Sequence, residues 1–308
     1  MKEVSSGPIR RDNAKVPYVV SADVRGLMTR WTSENGLQLP KNGFFEEKTA
    51  ELHDTLNGYF PGGVEIVDER EIKSGIMQMA ERSENPIISL DRAYLTESTP
   101  DININGYIDL TRGVDENLNG IGLRERSGTP SKESQLESYR TKSPQPITLV
   151  DDVIFSGEGV VEIAKDLAAV NRPVDKIIAG IGIAGGIERI EEFGIEVATV
   201  RQYSQVIDEV CARDFYPGVP MSGRSVYASD GSNYSAPYIR PFGKPETWAS
   251  IPEQHADDFS KARLGQAIEM WSEIERASGV KIPTNQAPRQ LLGANDEQSI
   301  VYALKRHE

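Results

Sequence analysis

From Val16 onward the chain alternates short apolar runs with segments whose apolar residues recur every three or four positions, and these two periods separate strands from helices. Helical spacing marks residues 45–56 and residues 72–80, the second through Ile76, Met77 and Met79. Between them Val64-Glu-Ile-Val67 has the character of a strand. Pro86-Ile-Ile-Ser-Leu90 and Gly106-Tyr-Ile-Asp-Leu110, short runs bounded by Pro, Asn and Gly, are also expected as strands. The pattern is sharpest after Pro146. It predicts a strand at 147–150, a helix at 159–170, a strand at 176–181, a short helix near 187–193 and a strand at 195–200. Strands and helices alternating at this spacing imply parallel β-α-β units, hence an α/β fold with a Rossmann-like parallel sheet flanked by helices.

The rest of the chain divides around that rhythm. Residues 1–16 are expected to form a flexible arm, because Ser, Gly, Arg, Asp and Asn outnumber apolar residues there. Residues 113–146 have scarcely any apolar period and are expected as a long loop or flap. Beyond about residue 203 the alternation stops, and residues 213–252 are rich in Gly, Pro, Ser and Tyr. A helix then returns at 256–278 with Leu264, Ile268, Trp271 and Ile274 on one face. The expected organisation is an arm at 1–16, an α/β core at 17–203 that includes the flap, and a largely helical and loop-rich C-terminal extension at 204–308.

Composition narrows the ligand classes. The 308 residues carry a net charge of -13, which disfavours non-specific binding to nucleic acid or to an anionic membrane, since both require a cationic surface. Any anionic ligand therefore needs a local device to hold it. Cys211 is the single cysteine, so an intramolecular disulfide is excluded, and no Cys/His spacing resembles a zinc site. No apolar run reaches membrane-spanning length and residues 1–15 are polar, so a cytoplasmic location is expected.

The local device is legible in Ile147-Thr-Leu-Val-Asp151-Asp152-Val-Ile-Phe-Ser156-Gly157-Glu158-Gly159-Val160-Val161. A buried strand delivers two carboxylates at its C-terminal end, where open α/β sheets bind their ligands. Small residues at 156, 157 and 159 let the backbone turn, so that successive N–H groups converge on an anion where the next helix begins. The ligand should present a phosphate to the loop, and hydroxyls or a metal to Asp151 and Asp152. Helix capping alone would explain Ser and Gly at a helix start, but it does not call for a double aspartate. A second glycine pattern, Gly180-Ile-Gly182-Ile-Ala-Gly185, stands before a strand ending in Arg201 and formally satisfies a dinucleotide fingerprint preferring NADP. An NADP-dependent oxidoreductase is thus a rival reading.

The 147–161 segment resembles the signature of the type I phosphoribosyltransferases: four hydrophobic residues, an acidic pair, two hydrophobic residues and a Thr-Gly-x-Thr-like loop. That resemblance implies phosphoribosyl pyrophosphate (PRPP) as substrate, Asp151 and Asp152 on the ribose 2- and 3-hydroxyls, and Ser156, Gly157, Glu158, Gly159 and Val160 around the 5-phosphate. It also implies Mg2+ carried with the ligand near Asp151 and Asp152, a nitrogenous base as acceptor, a role in nucleotide metabolism, and a homodimer. Proton transfer would fall to Asp152 or Glu158. Asp91, Arg92, Arg112, Arg124 and Arg126 are the candidates for the pyrophosphate, and Arg213, Asp214 and Phe215 for the acceptor. Two positions depart from the signature: Gly159 lacks the second hydroxyl, and Glu158 brings a carboxylate into a loop meant for a dianion. A lost charge-assisted hydrogen bond costs about 1.5–3 kcal/mol, so a non-catalytic PRPP- or nucleotide-binding regulator is the alternative.

Overall fold

The structure, a computed structural model, describes residues 16–96, 99, 102–229, 231–291 and 297–308, so the expected arm lies outside the described residues except for Val16. In chain order the elements begin β1 (Tyr18–Ala22), α1 (Val24–Glu34), α2 (Phe44–Tyr59), β2 (Val64–Asp68), α3 (Glu69–Ala80), β3 (Ile87–Ser89), β4 (Ile104–Tyr107), β5 (Leu110–Val114), β6 (Gly120–Glu125) and α4 (Lys132–Glu137). They continue β7 (Ile147–Ile154), α5 (Glu158–Ala169), β8 (Val174–Ile183), α6 (Ala184–Glu191), β9 (Glu196–Tyr203), β10 (Asp208–Cys211), β11 (Arg224–Tyr227), β12 (Asn233–Ala236), α7 (Pro245–Trp248), α8 (Ala256–Ser278) and α9 (Ile300–Lys305). None of the described helices is long and apolar enough to cross a membrane.

One compact unit contains Asp68–Leu110 and Thr129–Val206. Its sheet has the order β4-β3-β7-β8-β9 and is parallel at every pairing. This is the α/β architecture expected from the alternation of apolar periods. The two central strands read as near-continuous apolar runs because both their faces are covered: Ile147, Leu149 and Ile154 of β7, and Ile177, Ile178 and Ile181 of β8, are fully buried. α3 buries Ile72, Ile76 and Ala80, one residue per turn, and packs on β8 and β9. Asp68 caps it, accepting a hydrogen bond from the Arg70 amide at 2.8 Å.

The glycines of the apparent dinucleotide fingerprint have a packing role. Gly180 and Gly182 lie inside β8, and the strand passes directly into α6 without a glycine loop. A methyl group on Gly180 would come within 2.5 Å of Ile72, and one on Gly182 within 2.8 Å of Ile187. The glycines are small because side chains of the covering helices, and at Gly182 Thr199 of the neighbouring strand at 2.6 Å, lean onto the strand. Arg201, the supposed NADP ligand, forms a two-pronged ion pair with Glu71 of α3.

The second unit contains Pro17–Val67, Thr111–Gly128 and Ile207–Glu308, so the compact units do not follow the expected division at 203/204. The physical reason is strand pairing across a long interval of sequence. β1 pairs in parallel with β10, Tyr18 opposite Asp208 and Ser21 opposite Cys211, which makes residues 17–67 part of the same body as the C-terminal segment. Buried polar contacts fasten the join: Arg213 Nη1 lies 2.5 Å from Asp23 Oδ2, and the Tyr18 hydroxyl donates to the Ala249 carbonyl at 2.7 Å. Trp31 packs edge-on against Trp271 of α8 at 5.4 Å. On α8 itself Leu264, Ile268, Trp271 and Ile274 are buried, as the helical spacing predicts.

Residues 113–146, expected as a loop or flap, instead carry the end of β5, all of β6 and α4. Asp115 makes the turn between β5 and β6, accepting from the amides of Asn117 and Asn119, both at 2.9 Å. These hydrogen bonds hold its carboxyl below the usual aspartate range. Side-chain bonding to the backbone two residues on substitutes for an apolar signal, and so the hairpin is faint in the periodicity. α4 is capped by Ser131, whose hydroxyl accepts from the Ser134 amide at 3.2 Å.

Candidate phosphate and diol site

β7 runs four residues beyond the predicted 147–150 and ends at Ile154, so Asp151 and Asp152 belong to the strand itself. Pairing on one side with β3 (Ser89 opposite Val150) and on the other with β8 (Asp151 opposite Ala179) places both acids at the carboxyl end of a central strand. Their carboxylates turn back on the main chain: Asp151 Oδ1 accepts from the Asp152 amide at 3.0 Å, and Asp152 Oδ1 from the Val153 amide at 2.8 Å. Asp91, just past β3, is buried and accepts from the Ala93 amide. Desolvation, followed by the charges of Asp152 and Asp91, pushes the Asp151 carboxyl well above its ordinary value. This is a concentration of negative charge that a cation or a set of hydroxyl donors would relieve.

The loop after β7 is three residues long, Phe155, Ser156 and Gly157, and α5 begins at Glu158 rather than at Gly159 as predicted. Gly157 is the N-cap residue in a left-handed conformation (φ 74°), and no side chain caps the helix. The first intrahelical bond runs from the Val161 amide to the Gly157 carbonyl at 3.0 Å, so the amides before it lack helical acceptors. Ser156 Oγ reaches the Glu158 amide only at 3.4 Å. An uncapped helix start whose first amides lack helical acceptors suits an anion, aided by the helix dipole. Val160 is buried, so its contribution to the loop is its amide alone.

α6 backs this loop through main chain on main chain. A methyl group on Gly157 would stand 2.6 Å from the Gly186 carbonyl oxygen, and one on Gly186 would overlap the Phe155 carbonyl. Gly157→Ala should therefore destabilise the protein by about 1–3 kcal/mol, from both the left-handed backbone and the clash. Urea unfolding at neutral pH measures it, and an unchanged midpoint would contradict this account of the turn.

Glu158 is exposed, and its carboxylate pairs with Arg189 of α6 at 2.9 Å. The same Arg189 Nη1 donates to the Ser156 carbonyl at 2.6 Å. Arg189 is absent from the residues singled out by sequence. The signal was present, however: an acid in a loop read as a phosphate site calls for a cation, and neighbouring parallel strands bring the starts of their following helices side by side.

The remaining candidates fall into two groups. Arg92 is in the same unit as the aspartate pair, where Asp109 holds it with Nε–Oδ1 and Nη2–Oδ2 distances of 2.8 Å and where it stacks 3.9 Å over the Tyr107 ring. Arg112, Arg124, Arg126, Arg213, Asp214 and Phe215 all belong to the other unit. There Arg112 and Arg124 are exposed on β5 and β6, and Arg126 donates to the Met221 carbonyl at 3.3 Å. Arg213 and Phe215, the expected acceptor residues, are both buried in that unit. Arg213 is consumed by its buried pair with Asp23, and Phe215 is fully buried edge-on against Phe259 at 4.9 Å. Asp214 accepts from the Gly223 amide at 2.7 Å. The aromatic and charged density read as a recognition surface is in these residues a packed turn.

Fold and site together define an α/β protein with an acidic pair and an uncapped, glycine-turned helix start at the carboxyl end of a parallel sheet. No protein-family model matches the chain, and no curated protein matches it. Solved structures do. UMP synthase from Leishmania donovani is similar at 14% identity over 44% of this chain and 27% of its own, with a TM-score of 0.29. Orotate phosphoribosyltransferase from Mycobacterium tuberculosis H37Rv, in complex with PRPP, is similar at 13% identity over 42% of this chain and 70% of its own, with a TM-score of 0.29. APRTase from Giardia lamblia, complexed with 9-deazaadenine, is similar at 11% identity over 44% of this chain and 80% of its own, with a TM-score of 0.32. The chain thus spans about a quarter of the UMP synthase it matches.

Proposed function

We propose that this chain is a phosphoribosyltransferase that takes PRPP as donor, releases pyrophosphate and delivers the phosphoribosyl group to a nitrogenous base. The observation that carries the reading is the continuity of Asp151 and Asp152 at a central strand end with an uncapped, glycine-turned helix start only a few residues on. In this reading the Ser156 hydroxyl and the amides of the 157–160 turn take the 5-phosphate. The two carboxylates accept hydrogen bonds from the ribose diol. As the bond from C1 to pyrophosphate breaks, positive charge spreads over the ring, and these fixed anions stabilise it.

The donor set fits Mg2+ only in company with the substrate. Among the described residues no group of three metal-ligating side chains converges, whereas Mg2+ is commonly bound by one or two carboxylates plus substrate phosphates. Asp151 and Asp152 are the carboxylates that would face it. When bound, the ion would neutralise charge on the departing pyrophosphate.

A second reading, a PRPP-binding regulator without turnover, is favoured by one observation: Arg92, a pyrophosphate candidate, is already held in both prongs by Asp109. Incubation with PRPP, Mg2+ and a panel of bases separates the two. Base-dependent release of pyrophosphate is the expected result. Tight PRPP binding without release would favour the regulator, and failure to bind PRPP at all would remove both readings.

A further inference from the structure

Resting on that reading, we propose that Arg189 is a phosphate-binding residue of the 156–160 loop, and that Glu158 is a placeholder occupying it until the 5-phosphate arrives. The contacts of Arg189 are lopsided. Its Nη1 serves both the Ser156 carbonyl, at 2.6 Å, and the Glu158 carboxylate, at 2.9 Å, while among the described residues its Nε and Nη2 bond to nothing. A guanidinium has five N–H donors in a planar fork suited to phosphate, and most of them here await an acceptor.

The pair that holds it is weak and exchangeable. The Arg189 side chain is 43% exposed and that of Glu158 is 74% exposed, conditions under which an ion pair contributes little. A phosphate dianion is the stronger partner, carrying more charge and three acceptor oxygens. Geometry keeps the cation in place meanwhile, because Gly157 and Gly186 seat α6 directly on the loop and Arg189 projects from the next turn of that helix.

Two deficits in the loop are answered at once. Gly159 supplies no hydroxyl, so one phosphate oxygen lacks a side-chain donor that Arg189 can replace. The protein carries a net charge of -13, so a dianion needs a cation close at hand. Arg189 touches the loop itself.

Calorimetric titration of the full chain with PRPP and with ribose 5-phosphate tests the assignment through opposite signs. Arg189→Ala should weaken both ligands about tenfold or more, and Glu158→Gln, which frees the guanidinium, should strengthen both. A pair that merely staples the loop predicts that both substitutions weaken binding. That result overturns the proposal, as does unchanged affinity in Arg189→Ala or no gain in Glu158→Gln. If the wild type binds neither ligand, the phosphoribosyltransferase reading itself fails, so the two failures are distinguishable. Melting temperatures of the unliganded variants, measured alongside, show that each is folded.

Discussion

Asp151→Asn is expected to make the unliganded protein more stable than the wild type at pH 7 and, under the proposed function, to remove most of its affinity for PRPP. Burial and the charges of Asp152 and Asp91 raise the folded-state pKa of Asp151 above its ordinary 3.8, so the native state binds this proton more tightly than the unfolded chain does. Stability from this residue is then fully present below about pH 3.8, falls as pH rises toward the folded pKa, and stays low beyond it. An amide has no charge to lose, so the advantage of the variant should be absent at pH 3.5 and clear at pH 7. Urea midpoints at the two pH values measure it; a variant less stable than the wild type at pH 7 would refute the electrostatic account. For the ligand, each carboxylate bonded to a sugar hydroxyl is a charge-assisted contact of about 1.5–3 kcal/mol, so Asp151→Asn and Asp152→Asn should each lose roughly tenfold to hundredfold in PRPP affinity. Unchanged binding in both would sink the site assignment.

Asp23→Ala should cost about 3–5 kcal/mol of stability, because it takes the paired carboxylate away from a buried guanidinium. Asp23 accepts both from Arg213 Nη1, at 2.5 Å, and from the Arg213 amide, at 3.0 Å, and both side chains are almost wholly excluded from solvent. Replacing both partners with apolar residues, Asp23→Leu with Arg213→Met, should recover a large part of the loss, since the desolvation penalty disappears with the charges. Denaturant unfolding of the singles and the double decides it. A single substitution costing less than about 1 kcal/mol would show that the pair is hydrated and interchangeable.

Much of the sheet was legible from sequence for a simple reason. Ile147 to Val150 and Ile177 to Ile181 are buried on both faces, and such strands announce themselves as apolar runs flanked by helical periods. The aspartate pair and the small residues after it were equally visible, because they concentrate unlike chemistries in a few consecutive positions. What stayed hidden depends on partners far away in sequence. Tyr18 to Ala22 is too short and too near a polar stretch to be recognised until Asp208 to Cys211 lies beside it. Gly180 and Gly182 imitate a nucleotide loop because the side chains that require them, Ile72, Thr199 and Ile187, are on different elements. Arg213 and Phe215 look like recognition residues in isolation, and only their contacts with Asp23 and Phe259 reveal packing.

The direct seating of Gly186 against the Phe155–Gly157 turn has one more consequence. With no side chain interposed, the turn has nothing soft to slide on, and it inherits the rigidity of a helix already anchored to the sheet. Under the proposed function an arriving phosphate would meet a preformed cup, so that little chain entropy would be surrendered on capture and selectivity would rest on how well the guest matches a fixed shape.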